Sequence, residues 1–282
     1  MNEHEILIEA TKKLIDINNS EDWKNELLSK APPVLWFGNS NKNKEKVLTL
    51  GANPSRWEFL DQSSVKASCS KPYQKSCYEG KYLSKQRFYH LEENESYNDI
   101  LKDKKLRDKI IDSLDQYFMQ NPYKWFGSNK DNSYNVEGVL RGLNASYFES
   151  DHQLGACHID IFPFATITDF NQIQRITKRD ILDDLWAKNV VDQILNYFNP
   201  KLIFVFGRTN FNYFCTYFGI NARKGMKWKT TLDGKGKCEI WHSEYGEFKV
   251  VGVSTNLGNP NGFDAKGLRE LGTFIKENVI SD

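Results

Sequence analysis

Four short runs constrain the fold of this chain more than any other feature: Val47-Leu48-Thr49-Leu50-Gly51, Ala156 to Phe164, Leu202 to Gly207 and Phe248 to Ser254. Each is almost continuously Val, Ile, Leu, Phe or another small apolar residue, so neither face of the strand it forms can be left in water. The segments between them repeat apolar residues at helical spacing: His4 to Ile17, Glu21 to Leu28, Leu101 to Met119, Val136 to Phe148, Ile181 to Phe198, Asn210 to Phe218 and Gly267 to Glu277. Fully apolar strands alternating with helices predict an α/β fold, a three-layer α/β/α arrangement around a central, mostly parallel sheet. Cys238 to His242, turning at Tyr245-Gly246 into Phe248, reads as a hairpin. Sites on such sheets lie beyond the carboxyl ends of the strands, and Asn53, Asp160, Gly207 and Ser254 all fall there.

With 282 residues, 39% of them hydrophobic, the chain can bury a large core, and a single domain spanning 1–282 is expected. Residues 1–44 read as a helical accessory segment, and 61–98 as a long aromatic and basic insertion carrying Lys66, Lys71, Lys75, Lys81, Lys85 and Arg87 among Tyr73, Tyr78, Tyr82, Phe88 and Tyr89. No stretch reads as a signal peptide or a membrane span, which predicts a cytoplasmic protein. Five cysteines without a C-x-x-C pair fit reduced thiols, with no metal site and no cofactor expected. A formal charge of +1 does not mark a nucleic-acid binder by itself, so the distribution of charge decides. A second basic cluster, Arg223, Lys224, Lys227 and Lys229, surrounds Trp228, and such interleaving suits a nucleic-acid strand.

Two loops and one strand carry the candidate chemistry. Gly51-Ala52-Asn53-Pro54-Ser55-Arg56-Trp57 is a strand entering a tight turn that holds an Asn amide over the sheet edge. Ser254-Thr255-Asn256-Leu257-Gly258-Asn259-Pro260 also follows a strand and has the glycines of a loop that can approach a phosphate by its backbone. Cys157-His158-Ile159-Asp160-Ile161-Phe162-Pro163-Phe164 places a carboxylate in an otherwise apolar strand, where burial requires a defined partner. His158 on its own reads as a core histidine. Each loop taken alone is an ordinary turn.

Taken together, the three strings resemble the uracil-DNA glycosylase superfamily, nearest to its single-strand-selective monofunctional branch. Gly51 to Trp57 is similar to that branch's Gly-x-Asn-Pro-Gly-x-Trp motif, and Ser254 to Pro260 aligns with His-Pro-Ser-Pro-Arg-Asn-Pro, keeping Asn259-Pro260. Asp160 falls where the family has an Asn that reads the flipped base. The resemblance implies a uracil-DNA glycosylase-like fold and a hydrolase that cleaves the N-glycosidic bond. Asn53 would position the attacking water, and Ser254 would stand where a His stabilises the departing base. Asp160 would read the base among the stacking candidates Trp57, Phe59 and Phe162. Ser55, Asn256, Gly258, Asn259, Lys227 and Lys229 would contact DNA.

The departures shift the expected substrate. Ser254 is a weaker donor than His, and a carboxylate at 160 accepts hydrogen bonds without donating, which suits the cytosine amino group and not the uracil O4. The expectation is a monomeric glycosylase acting on a modified cytosine in DNA, single-stranded or with the base flipped out. Superfamily members in prokaryotic antiviral defence suggest foreign (phage) DNA as the setting. An ordinary uracil repair glycosylase and an inactive DNA-binding module of the same fold remain alternatives.

Overall fold

The computed structural model describes residues 1–282 apart from 21–22, 24–25, 42–44, 62, 64–80, 121, 131–132, 149–151, 169–184, 221–227, 233–235, 258–259, 261 and 281–282, with the backbone alone for 185–187, 228–232 and 236–237. The chain falls into two interleaved compact units. Met1–Phe37, Ala52–Asn121 and Asp160–Tyr197 make the first; Gly38–Gly51, Pro122–Ile159 and Phe198–Asp282 make the second.

The second unit is built on the expected sheet. Its strands are β1 (Lys46–Gly51), β2 (Ala145–Ser146), β3 (Leu154–Asp160), β4 (Leu202–Phe206), β5 (Trp228–Leu232), β6 (Gly236–Tyr245) and β7 (Phe248–Val253), in the order β2-β3-β1-β4-β7-β6-β5. β4 runs parallel to both neighbours, with Val47 opposite Leu202 and Leu202 opposite Lys249. β6 is antiparallel to β7 and to β5, so the predicted hairpin is present with one more strand outside it. The reading from apolar runs missed β5, because Trp228-Lys229-Thr230-Thr231-Leu232 is half polar and resembles an exposed segment. The sheet centre is mostly apolar: Val47, Leu48, Leu202, Ile203, Phe204, Val205, Val250 and Val251 have no exposed surface.

The predicted helices at 4–17 and 210–218 form as α1 (Glu3–Asn18) and Arg208–Phe218. Leu101 to Met119 is not one helix but three pieces, α2 (Tyr97–Lys102), α3 (Lys104–Asp115) and α4 (Tyr117–Gln120). Asp103 breaks the first junction by leaving the helical conformation and capping Lys105 N with its carboxylate. Val136 to Phe148 likewise splits into α5 (Asn135–Gly142) and β2. Asn144 turns the chain at φ 60°, after which Ser146 Oγ (2.7 Å) and Tyr147 N (3.1 Å) reach back to the buried Glu137 carboxylate, itself paired with Arg141 Nε at 3.0 Å. Within the helix expected at Glu21 to Leu28, Trp23 and Glu26 are in turns and Leu27 bridges Thr166; Glu21, Asp22, Lys24 and Asn25 lie outside the described residues. The remaining α-helices among the described residues are α6 (Leu185–Phe198), α7 (Arg208–Phe218) and α8 (Ala265–Ile275).

In the second unit α5 and α8 cross backbone to backbone. A Cβ on Gly142 would stand 2.0 Å from Arg269 O and 2.8 Å from Gly272 Cα, and one on Gly272 would stand 2.0 Å from Val139 O. Gly142→Ala gains about 1 kcal/mol of helix propensity, but overpacking costs typically 1–3 kcal/mol and more where the clash is with backbone. The variant should unfold at lower urea concentration than the native protein. A midpoint at or above the native one would show that the two helices can separate freely.

Candidate functional site

Residues 160–168 are the scaffold on which the first unit assembles its candidate chemistry. β3 ends at Asp160, four residues short of the strand predicted over Ala156 to Phe164, and 161–168 run on through bends with bridges only at Thr166. Phe162 N donates to Ala52 O (3.0 Å), so the segments that follow the neighbouring strands β1 and β3 are joined directly. Val34 N then donates to Pro163 O, Leu28 N to Ala165 O and Ile167 N to Glu26 O, at 2.8–2.9 Å. Thr166 bridges Leu27 on one side and Ser55 on the other.

This arrangement fixes the orientation of Asn53. Asn53 Nδ2 donates to Thr166 Oγ1 at 2.9 Å and to Pro54 O at 3.2 Å. Thr166 has a single hydroxyl proton, and it goes to Thr168 O at 2.6 Å. The Thr166 oxygen can therefore only accept from Asn53, which makes the amide nitrogen the near atom and Oδ1 the far one. Oδ1 accepts from no group among the described residues. A half-buried amide held by both its protons, with its carbonyl oxygen available, is a rigid acceptor able to orient a water proton.

The following turn is equally constrained. Ser55 Oγ accepts from Trp57 N at 3.3 Å and caps a 3-10 turn over Arg56–Glu58. Arg56 is buried, donates to Ile167 O at 2.7 Å and lies over the Trp57 ring at 4.8 Å. Arg87 Nη1 holds Trp57 O at 2.5 Å. Of the three stacking candidates, Trp57 is half-buried, whereas Phe59 and Phe162 are 1% and 2% exposed. Phe59 packs on Phe88, and Phe162 on Trp23 and Phe164. Trp57 is thus the candidate ring with surface still free.

Asp160 is 3% exposed at the end of its strand. A second buried carboxyl, Glu58, acts on the same unit and was not anticipated from the sequence. Glu58 Oε2 accepts from Tyr117 Oη at 2.8 Å. Burial pushes its carboxyl up to about 7; the Tyr117 hydrogen bond and Arg87 pull the other way, and the Asp160 charge adds to the rise. The signal that singles out Asp160, a charge inside an apolar run, is equally present in Trp57-Glu58-Phe59-Leu60. Thr166 gives no such signal, because its role depends on a partner 113 residues away.

In the second unit the parallel strands β4 and β7 end side by side, with Gly207 N donating to Val253 O at 2.9 Å. Ser254 follows β7 and continues its pairing with β6. Its N donates to Glu239 O, its Oγ accepts from Glu239 N at 2.9 Å, and its hydroxyl points to Cys238 Sγ at 3.9 Å. Asn256 is exposed. Gly258, Asn259 and Lys227 lie outside the described residues, as do Arg223 and Lys224; Lys229 is in β5, opposite Glu239, with its side chain not described. His158 is a core residue, with Nδ1 2.8 Å from Thr49 Oγ1 and its ring against Phe126 and Phe206. Cys157, Cys215 and Cys238 are free thiols, and among the described residues no group of three or more His, Cys, Asp or Glu is placed to hold a metal ion. No described helix is long and apolar enough to cross a membrane.

No protein-family model matches the chain, and no curated protein is similar to it.

Thr166→Val tests the Asn53 support, because it keeps the shape and removes both hydrogen bonds of the hydroxyl. Loss of buried hydrogen bonds of this kind costs about 1–3 kcal/mol, which should appear as a lower urea midpoint with an unchanged slope. A variant as stable as the native protein would show that Thr166 does not hold the Asn53 amide.

Proposed function

We propose that the chain is a monofunctional DNA glycosylase with a three-layer fold of the uracil-DNA glycosylase type, and that it hydrolyses the N-glycosidic bond of a flipped, modified cytosine, in foreign (phage) DNA as a defence. The observation that carries this reading is the locked Asn53 amide, whose Oδ1 accepts from no group among the described residues and suits the task of orienting a nucleophilic water. As the bond from the sugar C1′ to the base nitrogen lengthens, positive charge develops on the sugar and negative charge on the base. The water oxygen bonds to C1′, and the proton released ends on the departing base. Preorganised dipoles matter most where such charge develops, because a fixed acceptor needs no reorganisation in the transition state. Asp160, buried in the segment joined to Asn53 through Phe162 and Ala52, supplies an acceptor for an exocyclic amino group.

A DNA-binding protein of the same fold without turnover is the second reading. Ser254 favours it, since its hydroxyl is already engaged by Glu239 N and directed at Cys238 Sγ and is a poor stabiliser of a leaving base.

Single-turnover release of bases from DNAs carrying uracil, cytosine or bulky cytosine derivatives separates these readings. A cytosine derivative should be released, and Asn53→Ala should slow release by roughly one to three orders of magnitude with DNA binding retained. Asp160→Asn should lower the ratio of cytosine-type to uracil release, because a site built around a buried hydrogen bond discriminates by about 10⁴ where pocket volume alone does far less. Ready release of uracil with no release of any cytosine derivative would favour the repair enzyme. Binding without release of any base would favour the inactive module.

A further inference from the structure

Tyr134, in the second unit, is the one aromatic among the exposed large hydrophobic side chains of the described residues, with 42% of its surface in solvent. Its hydroxyl is nevertheless engaged. Tyr134 Oη donates to Phe263 O at 2.7 Å, with Pro260 O beside it at 3.3 Å. Both carbonyls belong to the segment that joins β7 to α8, which turns at Gly262 (φ 82°) and is closed by Phe263 N donating to Pro260 O at 3.1 Å. The far end of the ring is thus tied to a segment more than a hundred residues away, while its flat side stays in water.

The backbone that carries Tyr134 is held as firmly. Ser128 N donates to Ser133 Oγ at 2.9 Å, and Asn135, at φ 63°, donates through Nδ2 to Lys124 O at 3.0 Å. A Cβ on Gly127 would stand 2.6 Å from Tyr134 O, so the 3-10 turn over Lys124–Phe126 packs directly against it. α5 begins at the next residue and is locked to α8 where Gly142 meets Gly272. A ring fixed at both ends has little rotational freedom left to lose when something binds it.

Two cations leave the same frame. Lys124, whose carbonyl holds Asn135, and Lys130, whose carbonyl accepts from Ser133 N at 2.9 Å, are exposed and make no ion pair with the described residues. The described acidic residues of these segments are engaged elsewhere: Glu137 is buried against Arg141, and Asp264 caps α8 by accepting from Gly267 N at 2.7 Å. A rigid exposed ring among free positive charges suits a single strand of nucleic acid, because every base offers a flat face to stack on and every nucleotide a negative phosphate.

We propose that Tyr134, Lys124 and Lys130 form a binding place for single-stranded nucleic acid, in which the Tyr134 ring stacks on an unpaired base and the two lysines meet phosphates. That the strand is the DNA on which the protein acts rests on the glycosylase reading; the stacking place itself does not. The hydroxyl bonds link this place to the segment after β7, the one expected to contact DNA through Asn256.

Binding of fluorescein-labelled oligothymidylate, and of an abasic strand of equal length, to the full chain tests the site by anisotropy. The native protein should prefer the strand that carries bases. Tyr134→Leu should weaken oligothymidylate binding roughly 5- to 100-fold, the scale of one stacked base, and leave the abasic strand nearly unchanged. Tyr134→Phe loses the hydroxyl bonds alone and should keep most of the preference. Replacing Lys124 and Lys130 together by Ala should weaken both strands and flatten the dependence of log K on log salt by about 1.4, as for two phosphates of a single strand. A native preference retained in Tyr134→Leu, an equal loss in Tyr134→Phe and Tyr134→Leu, an unchanged salt slope in the lysine variant, or a native protein that binds neither strand overturns the proposal. Base release by a native protein whose variants bind as it does counts against this site alone. Loss of the preference in Tyr134→Leu, in a protein that releases no base from any DNA, supports the site and counts against the glycosylase reading alone.

Discussion

The first unit depends on one stretch of backbone, the segment 160–168. Buried N–H and C=O groups must be paired, and this segment pairs those of three others: Glu26 to Leu28, the apolar run at Val34, and the motif turn at Ala52 to Ser55. Its side chains do a second task at the same positions. Phe162 packs between Trp23 and Phe164, while Thr166 takes the Asn53 amide. The orientation of the candidate water-binding oxygen is therefore a by-product of satisfying a buried hydroxyl that has one proton and two neighbours.

Three buried acidic residues show three solutions to the same electrostatic problem. Glu137 collects Ser146, the Tyr147 N–H and Arg141, and the fold uses it to turn α5 back into the sheet. Burial still raises that carboxyl, with these partners pulling it down. Glu58 has one neutral donor, and burial prevails. Asp160 ends a strand at the point where the chain passes from the sheet into the scaffold segment. A densely bonded carboxylate suits architecture. A sparsely bonded one retains chemistry that can respond to a ligand or to pH.

The sheet in the second unit needs no such economy. Its central strands are mostly apolar, with Thr49 bonded to His158 as a buried polar exception, and its helices approach through direct backbone contact where Gly142 meets Gly272. At its parallel carboxyl edge the chain leaves β7 through Ser254, whose hydroxyl is absorbed into pairing with β6. That use of the side chain explains in physical terms why a serine after β7 need not be chemically active.

Local pattern alone determined the α/β class, the four apolar strands, the β6–β7 hairpin, α1, and the presence of Asn53 and Asp160 at strand ends, because each depends on the periodicity or polarity of neighbouring residues. It failed where a distant partner overrides local preference. Within the helix expected at Glu21 to Leu28, the described residues Glu26 and Leu28 pair with Ile167 and Ala165, Leu101 to Met119 breaks at the Asp103 cap, and Val136 to Phe148 reverses at Asn144. The half-polar β5 escaped notice because it joins the sheet by pairing with β6 and not by its own apolar pattern. Tertiary structure alone decided which end of the Asn53 amide meets Thr166, which of the aromatic candidates keeps exposed surface, and that Tyr117 donates to the buried Glu58. These are properties of pairs far apart in the chain, and no spacing within a single segment encodes them.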